Sequence, residues 1–166
     1  MNYSEFVRSR FKSGELIAEE MTPEKAAVLQ RRINLVVHQS VALDLAKKQT
    51  IYNKHQGLYA MAEDAHRLKD FKPNPSQCEL LHAAIGIAGE AGELLDAVRK
   101  HVFDGQPLDR ENVIEELGDL NFYFEAACQA IGVTREEIEQ RNQAKLSKRY
   151  EGGYSDQQAQ ERKDKQ

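Results

Sequence analysis

The chain has 166 residues, the size of one ordinary domain, and is long enough to bury roughly 70% of the surface of its unfolded form. Hydrophobic residues make up 40% of it and charged residues 30%, which excludes a collagen-like, disulfide-rich or disordered protein. The formal net charge of −4 gives no overall positive field that would recruit a nucleic acid polymer or an anionic membrane. We therefore expect a soluble globular protein that holds any anionic ligand locally.

The N-terminal sequence and the cysteines indicate the compartment. The first eight residues carry charge where a signal peptide needs an apolar run, and no stretch reaches the ~18 apolar residues of a membrane span. Cys78 and Cys128 have no CxxC partner, which predicts two packed thiols in a reducing compartment. We therefore expect a cytoplasmic protein with no membrane partner.

Apolar residues recur at spacings of three and four, and this periodicity predicts an almost entirely helical chain. Thr22 precedes Pro23 as a cap and opens a first helix, which extends to about Tyr52. A second helix is predicted over about 56–68. It ends at residues 71–75, because the two prolines there block its continuation.

The next two predicted helices are joined by a short turn. Ser76 is the predicted cap of a long helix that reaches about Phe103. After the turn, Asp109 is the predicted cap of a helix over about 110–131, which Gly132 ends. A connection this short predicts two antiparallel neighbours.

The last part of the chain contains a fifth predicted helix. Thr134 opens it in a capping-box pattern, and it ends near Tyr150. From residue 151 onward the chain is polar, which predicts a tail that is mobile or is ordered only against a neighbour.

One face of each helix of the antiparallel pair is apolar. The first stripe contains Ile87, Ala91, Leu94 and Val98, and the second contains Val113, Leu117, Leu120, Phe124 and Ile131. We expect these two stripes to meet.

Two pairs of carboxylates flank the stripes in the same rotational sense. Glu90 and Glu93 lie beside the first stripe, and Glu116 and Asp119 lie beside the second. At ~1.5 Å per residue, both pairs are at similar distances from the connecting turn, so they are predicted to face each other. Four acids along one seam repel each other strongly, and a divalent metal ion is the simplest cation to neutralise them.

The donor atoms indicate which metal. All four predicted ligands offer oxygen, with no cysteine nearby and no Glu-x-x-His, which favours Mg²⁺, with Mn²⁺ as a substitute, over zinc or di-iron. The alternative is that these acids are solvated surface residues. We expect that role for Asp96, which is predicted to pair with Lys100 one helical turn later.

Polar and small residues continue the carboxylate face along the first helix of the pair. His82 and Lys100 share that face and make it a groove along which a ligand can lie, although a histidine near a helix start is also a common structural feature. Gly86, Gly89 and Gly92 each cost a helix roughly 1 kcal/mol relative to alanine, which indicates close helix packing or close approach of a ligand.

A polar face on the fifth predicted helix completes the candidate residues: Asn142, Lys145 and Arg149, followed by Tyr150. Cations near a helix C-terminus are common for dipole reasons alone. Beside a metal–carboxylate seam, however, a lysine and an arginine suit the oxygens of a polyphosphate that the metal leaves free.

These motifs, in this order, resemble those of the MazG-like nucleoside triphosphate pyrophosphohydrolases of the all-alpha NTP pyrophosphatase superfamily. The resemblance covers about residues 80–154, and the sequence is similar to MazG-like proteins encoded by bacteriophages. It implies an all-α fold, an antiparallel helical bundle assembled as a homotetramer or homodimer. It further implies hydrolysis of a nucleoside triphosphate between its α and β phosphates, giving a monophosphate and pyrophosphate.

The resemblance also implies roles for residues. Glu90, Glu93, Glu116 and Asp119 match carboxylates that bind Mg²⁺, and Lys145 and Arg149 match residues that contact phosphates. Glu90 or Glu93 is the candidate to take a proton from the attacking water. Family members often carry a further Glu where this chain has Gly89, which leaves the number of metal ions and the general base open.

The resemblance predicts three segments: an N-terminal helical segment at 1–73, a catalytic helical core at 74–150 and a polar tail at 151–166. The first segment is an extra bundle layer, an oligomer contact or a wall of the base pocket. Two alternatives to an enzyme are a helical nucleotide-sensing or partner-binding protein on the same scaffold, and a structural bundle with solvated acids. Canonical dNTPs, dUTP-like nucleotides and damaged nucleotides are all compatible substrates.

Overall fold

The computed structural model describes residues 3–10, 12–52, 74–150, 152–162 and 164. These residues form helices and loops and no strand, as the periodicity predicts. The helices are α1 (Tyr3–Arg10), α2 (Gly14–Glu20), α3 (Pro23–Thr50), α4 (Pro75–Phe103), α5 (Arg110–Ile131), α6 (Arg135–Arg149) and α7 (Asp156–Glu161). The helix predicted over 56–68 lies outside the described residues. None of the described helices combines the length and apolar composition that a membrane crossing requires.

The chain forms two compact units. The terminal unit combines Met1–Ala26 with Val133–Gln166 and contains α1, α2, α6 and α7. The central unit, Ala27–Gly132, contains α4, α5 and all of α3 after its first turn.

Local capping sets several helix ends where the sequence predicts them. The Asp109 carboxylate accepts a hydrogen bond from the Asn112 backbone N–H at 3.1 Å and starts α5. Gly132 ends that helix in the left-handed conformation, with φ of 70°, which favours glycine. The Thr134 hydroxyl accepts from the Glu137 backbone N–H at 3.1 Å and starts α6.

The start of α4 differs from the prediction, because Asn74 rather than Ser76 is its cap. The Asn74 side chain accepts from the Gln77 backbone N–H, and the Gln77 side chain accepts from the Asn74 backbone N–H, both at 2.9 Å. Pro75 suits the first helical position, since it has no N–H to satisfy. The Ser76 hydroxyl instead donates to the Ala130 carbonyl at 3.2 Å, so the start of α4 lies beside the end of α5.

The buried residues of α4 are all small, and they face α5 at Gly86 and α3 at Gly89 and Gly92. They are Ala83, Gly86, Gly89, Gly92 and Ala97. The Tyr123 ring of α5 lies so close to Gly86 that a Cβ atom there would overlap it.

This close approach explains why the predicted apolar stripes are partly wrong. Ala91 and Val98 of α4 and Leu117 and Ile131 of α5 are exposed. At Gly86, α4 instead presents a small residue to α5, which permits a shorter distance between the backbones than a large side chain does.

Helix α3 crosses α4 at a second close contact. A Cβ atom on Gly92 would overlap the Ser40 side chain. Ser40 and Lys47 are the buried residues of α3. Large apolar side chains elsewhere on this helix are exposed: Val28, Leu29, Leu35, Val36, Val41 and Leu45.

In the terminal unit, polar contacts connect the N-terminal residues to the C-terminal ones. The Tyr3 hydroxyl donates to the Asn142 side-chain carbonyl at 3.4 Å, and the Lys12 ammonium pairs with Asp156 at 2.9 Å. Ser155 caps α7, so the predicted polar tail contains a short helix.

The two cysteines differ in burial. Cys128 is buried in α5, as predicted, whereas Cys78 is exposed. The prediction that both thiols pack is therefore wrong for Cys78, which lies in the solvent-facing first turn of α4.

Candidate metal site

Three carboxylates of the central unit converge where α4 packs on α5. One oxygen of each of Glu90, Glu116 and Asp119 lies within 4.8 Å of the others. Glu90 comes from α4 and the other two from neighbouring turns of α5, so the packing of the two helices creates the group. Glu116 is buried, Glu90 is half-buried and Asp119 is exposed. We call these three residues the acidic cluster.

Glu93, the fourth predicted carboxylate, lies beside the acidic cluster and is exposed. Together with Glu116 and Lys100 it lines a groove of about 390 Å³ between α3, α4 and α5. Lys100 pairs with Asp96 at 2.8 Å, which confirms the predicted ion pair. The groove therefore contains both a carboxylate and an ammonium group next to the acidic cluster.

Burial and mutual repulsion change the acidity of the cluster. Burial, with the charges of Glu93, Glu90 and Asp119, raises the pKa of Glu116 to about 7. Burial also raises the pKa of Glu90, against an opposing effect of Lys47. A bound cation would relieve this repulsion, and carboxylate oxygens are the ligands that Mg²⁺ prefers.

Lys47 of α3 reaches the acidic cluster and was not predicted from the sequence. Its ammonium lies 2.9 Å from Asp44 and 3.7 Å from Glu90, and 5.2 Å from the centre of the Tyr123 ring. Burial lowers the pKa of Lys47, but the hydrogen bond and charge of Asp44 outweigh it, so the pKa is raised overall. The available signal was the spacing of Ser40, Asp44 and Lys47, which puts these three polar side chains on one face of the helix.

His82 belongs to an aromatic group one to two turns from the acidic cluster. Its Nε2 atom lies 2.7 Å from the Tyr52 hydroxyl, and its ring packs edge-on against Tyr123 at 5.9 Å between centroids. Beside it lies a cavity of about 310 Å³, whose lining includes Phe122 and Gln129. The cavity has aromatic walls and polar groups at its edge.

The remaining predicted site residues belong to the terminal unit. Arg149 makes a two-pronged ion pair with Asp164, which holds the pKa of that carboxyl at about 2. Asn142 is half-buried, Lys145 is exposed and Tyr150 is buried.

The four predicted carboxylates and the polar face of α6 all fall between residues 90 and 150. Residues 80–153 match the family model of the MazG nucleotide pyrophosphohydrolase domain. The MazG match covers α5, α6 and most of α4, and it confirms the resemblance given by the three motifs. The helical structure of the described residues agrees with the all-alpha fold of MazG domains, and the match indicates a nucleotide pyrophosphohydrolase, which is a hydrolase. No curated protein and no solved structure matches the chain.

Proposed function

We propose that the protein is a Mg²⁺-dependent nucleoside triphosphate pyrophosphohydrolase. It cleaves a ribo- or deoxyribonucleoside triphosphate between the α and β phosphates and releases the monophosphate and pyrophosphate. The observation that carries this proposal is the convergence of Glu90, Glu116 and Asp119 inside the segment that matches MazG.

The acidic cluster fits a hard divalent cation. Its donors are carboxylate oxygens, and burial together with the neighbouring carboxylates raises the pKa of Glu116 to about 7. Glu90, Glu93, Glu116 and Asp119 would hold Mg²⁺, with Mn²⁺ as a substitute. When bound, the metal polarises the α-phosphate and stabilises the charge of the leaving pyrophosphate.

The hydrolysis needs a group that takes a proton from water. Water adds its oxygen to the α-phosphorus, the bond from that phosphorus to the bridging oxygen breaks, and pyrophosphate leaves. Glu90 and Glu93 are the candidate bases, and Glu93 is the more exposed of the two, so water reaches it more easily.

Basic and aromatic groups of the central unit suit the two ends of a nucleotide. Lys100, in the groove with Glu93 and Glu116, supplies positive charge for phosphate oxygens once it exchanges Asp96 for them. The cavity beside His82, Phe122 and Tyr123 suits a base, which stacks on aromatic rings.

The polar face of α6 is proposed to bind the phosphates as well. Asn142, Lys145, Arg149 and Tyr150 provide an amide, two cations and a hydroxyl. Arg149 takes part by exchanging the Asp164 carboxylate for a phosphate. A planar carboxylate and a tetrahedral phosphate can each accept two hydrogen bonds from one guanidinium group.

We further propose that residues 74–150 are the catalytic core of an antiparallel helical bundle in the cytoplasm, with 151–166 as its polar tail. Segment 1–73 then forms an extra bundle layer or an oligomer contact. The apolar side chains that α3 exposes support assembly into a homodimer or homotetramer, because a large exposed apolar surface is usually covered. Light scattering coupled to gel filtration measures the assembly directly.

The test is a panel of NTPs and dNTPs incubated with Mg²⁺ and the purified protein, with products separated by ion-exchange chromatography. We expect monophosphate and pyrophosphate, a loss of about 100-fold or more in kcat for Glu116→Gln and Asp119→Asn, and Mg²⁺ binding by the wild type. Glu115→Gln is the matched control, since Glu115 is an exposed neighbour on α5 outside the cluster.

Two results would contradict the proposal. Release of inorganic phosphate together with the nucleoside diphosphate would show cleavage between the β and γ phosphates instead. Nucleotide binding without turnover, with equal behaviour of Glu116→Gln and the control, would favour the nucleotide-sensing alternative.

A further inference from the structure

Lys47 is a buried cation directed into an acidic site. Its side chain is 3% exposed, although an unpaired buried lysine is costly and usually loses its proton. Asp44, its nearer partner, is also paired with Lys48, so Lys47 shares that carboxylate. The remaining positive charge of Lys47 is directed toward Glu90 at 3.7 Å.

A close contact of the Ser40 side chain of α3 with Gly92 of α4 positions this ammonium. Ser40 fits against Gly92 two turns earlier on α3, which fixes the distance between the two helices. At Gly89, the Lys47 Nζ is the atom nearest to the position that a Cβ would take, at a distance of 3.8 Å. The missing side chain at Gly89 therefore leaves the space beside Glu90 that the ammonium fills.

We propose that Lys47 is an internal counter-cation of the acidic cluster, which positions Glu90 in the metal-free protein and lowers the affinity of the cluster for Mg²⁺. This inference rests on the proposed function, because it concerns the same metal site. The lysine neutralises part of the charge that a metal ion would otherwise neutralise. Lys47 is thus a positioning residue that adjusts metal occupancy.

The test compares Lys47→Met with Lys48→Met. Methionine keeps most of the apolar stem and removes the charge. Lys48 is the matched control because it also pairs with Asp44, but its side chain is 49% exposed and water screens its charge. Melting temperature is measured in EDTA and in saturating Mg²⁺, and the dissociation constant for Mg²⁺ alone is measured by titration calorimetry.

Loss of an internal counter-cation destabilises the metal-free form more than the metal-bound form. The melting temperature of Lys47→Met, relative to the wild type, should therefore fall further in EDTA than in Mg²⁺. The Kd of this variant for Mg²⁺ should fall by about tenfold. Lys47→Arg, which keeps the charge, should restore most of both properties. The changes in Lys48→Met should be clearly smaller.

A purely structural lysine gives a different result. Equal losses in EDTA and in Mg²⁺, with an unchanged or weaker Kd, would overturn the inference and leave the proposed function intact. If Lys47→Met does not fold, the double variant Lys47→Met/Glu90→Gln should fold, because both charges have been removed. Failure of the double variant to fold would also overturn the inference. Absence of Mg²⁺ binding by the wild type would instead reject the proposed metal site itself.

Discussion

The two compact units treat buried charge in opposite ways. In the terminal unit, Arg149 and Asp164 form a closed pair in which one guanidinium satisfies one carboxylate. In the central unit, Glu90, Glu116 and Asp119 converge with Lys47 beside only one of them, at 3.7 Å from Glu90. The first arrangement lowers a carboxyl pKa to about 2, and the second raises one to about 7.

Under the proposed function, the closed pair stabilises the fold, whereas the acidic cluster is available to a ligand. A closed pair gains from both partners and gives little reason to bind anything else. A group of like charges destabilises the protein that carries it until a cation arrives. Repulsion within the acidic cluster thus lowers the stability of the metal-free central unit at the place where the proposed chemistry needs a metal ion.

The largest expected effect comes from separating α3 from the acidic cluster. Gly92→Ala should lower the free energy of unfolding by about 3 kcal/mol, because the new Cβ overlaps Ser40 and the helices must move apart. Gly118→Ala is the control: among the described residues, a Cβ there would meet no atom within 4 Å beyond its own helix backbone, and alanine should raise stability by about 0.5–1 kcal/mol. Urea denaturation in EDTA measures both. Equal stability of the two variants would contradict the close contact between α3 and α4.

The next largest expected effect is a pH dependence of the free energy of unfolding, which arises from Glu116 in the central unit. The pKa of Glu116 is about 7 in the folded protein and about 4.5 in the unfolded chain, so the folded form holds its proton more tightly. Its contribution to stability is complete below pH 4.5 and is lost as the pH rises through 7. In EDTA, the free energy of unfolding should fall by roughly 2 kcal/mol between pH 5 and pH 8. The profile of Glu116→Gln should be flatter, and an equally steep profile would assign the titration to another group.

The smallest effect concerns the closed pair. Asp164→Asn should lower the melting temperature slightly, and the loss should be the same at every pH from 5 to 8. The pKa of Asp164 is lowered to about 2, so its contribution is present above its ordinary pKa and is lost only as the pH falls toward 2. The variant should also lower KM for the nucleotide about twofold to threefold, because the guanidinium no longer has to exchange a carboxylate. A raised KM would argue against phosphate binding by Arg149.

Local signals predicted the helices well because helix ends depend on neighbouring residues. Asp109, Gly132 and Thr134 act within a few residues of themselves, and the structure has each in the predicted role. At the start of α4, the prediction of Ser76 as the cap is wrong, because Asn74 caps the helix. The Ser76 hydroxyl instead donates to the Ala130 carbonyl, in a distant part of the chain that no local pattern indicates.

The candidate site was predictable to the extent that it depends on two helices joined by a short loop. Glu90, Glu116 and Asp119 follow from helical spacing on either side of that loop, and they converge in the structure. Lys47 was not predictable, because its position depends on how α3 crosses α4 rather than on any local pattern. Burial of small residues in place of the predicted stripes has the same origin, since packing distance is set between helices.

The hairpin of α4 and α5 has a consequence for the order of folding. Its acids come from residues 90–119 and meet as soon as the hairpin closes, whereas Lys47 arrives only when α3 docks from much earlier in the chain. Contacts that are close in sequence form early. The nascent hairpin therefore carries the full repulsion of the acids, and we expect Mg²⁺ to increase the rate of refolding in stopped-flow experiments as well as the final stability.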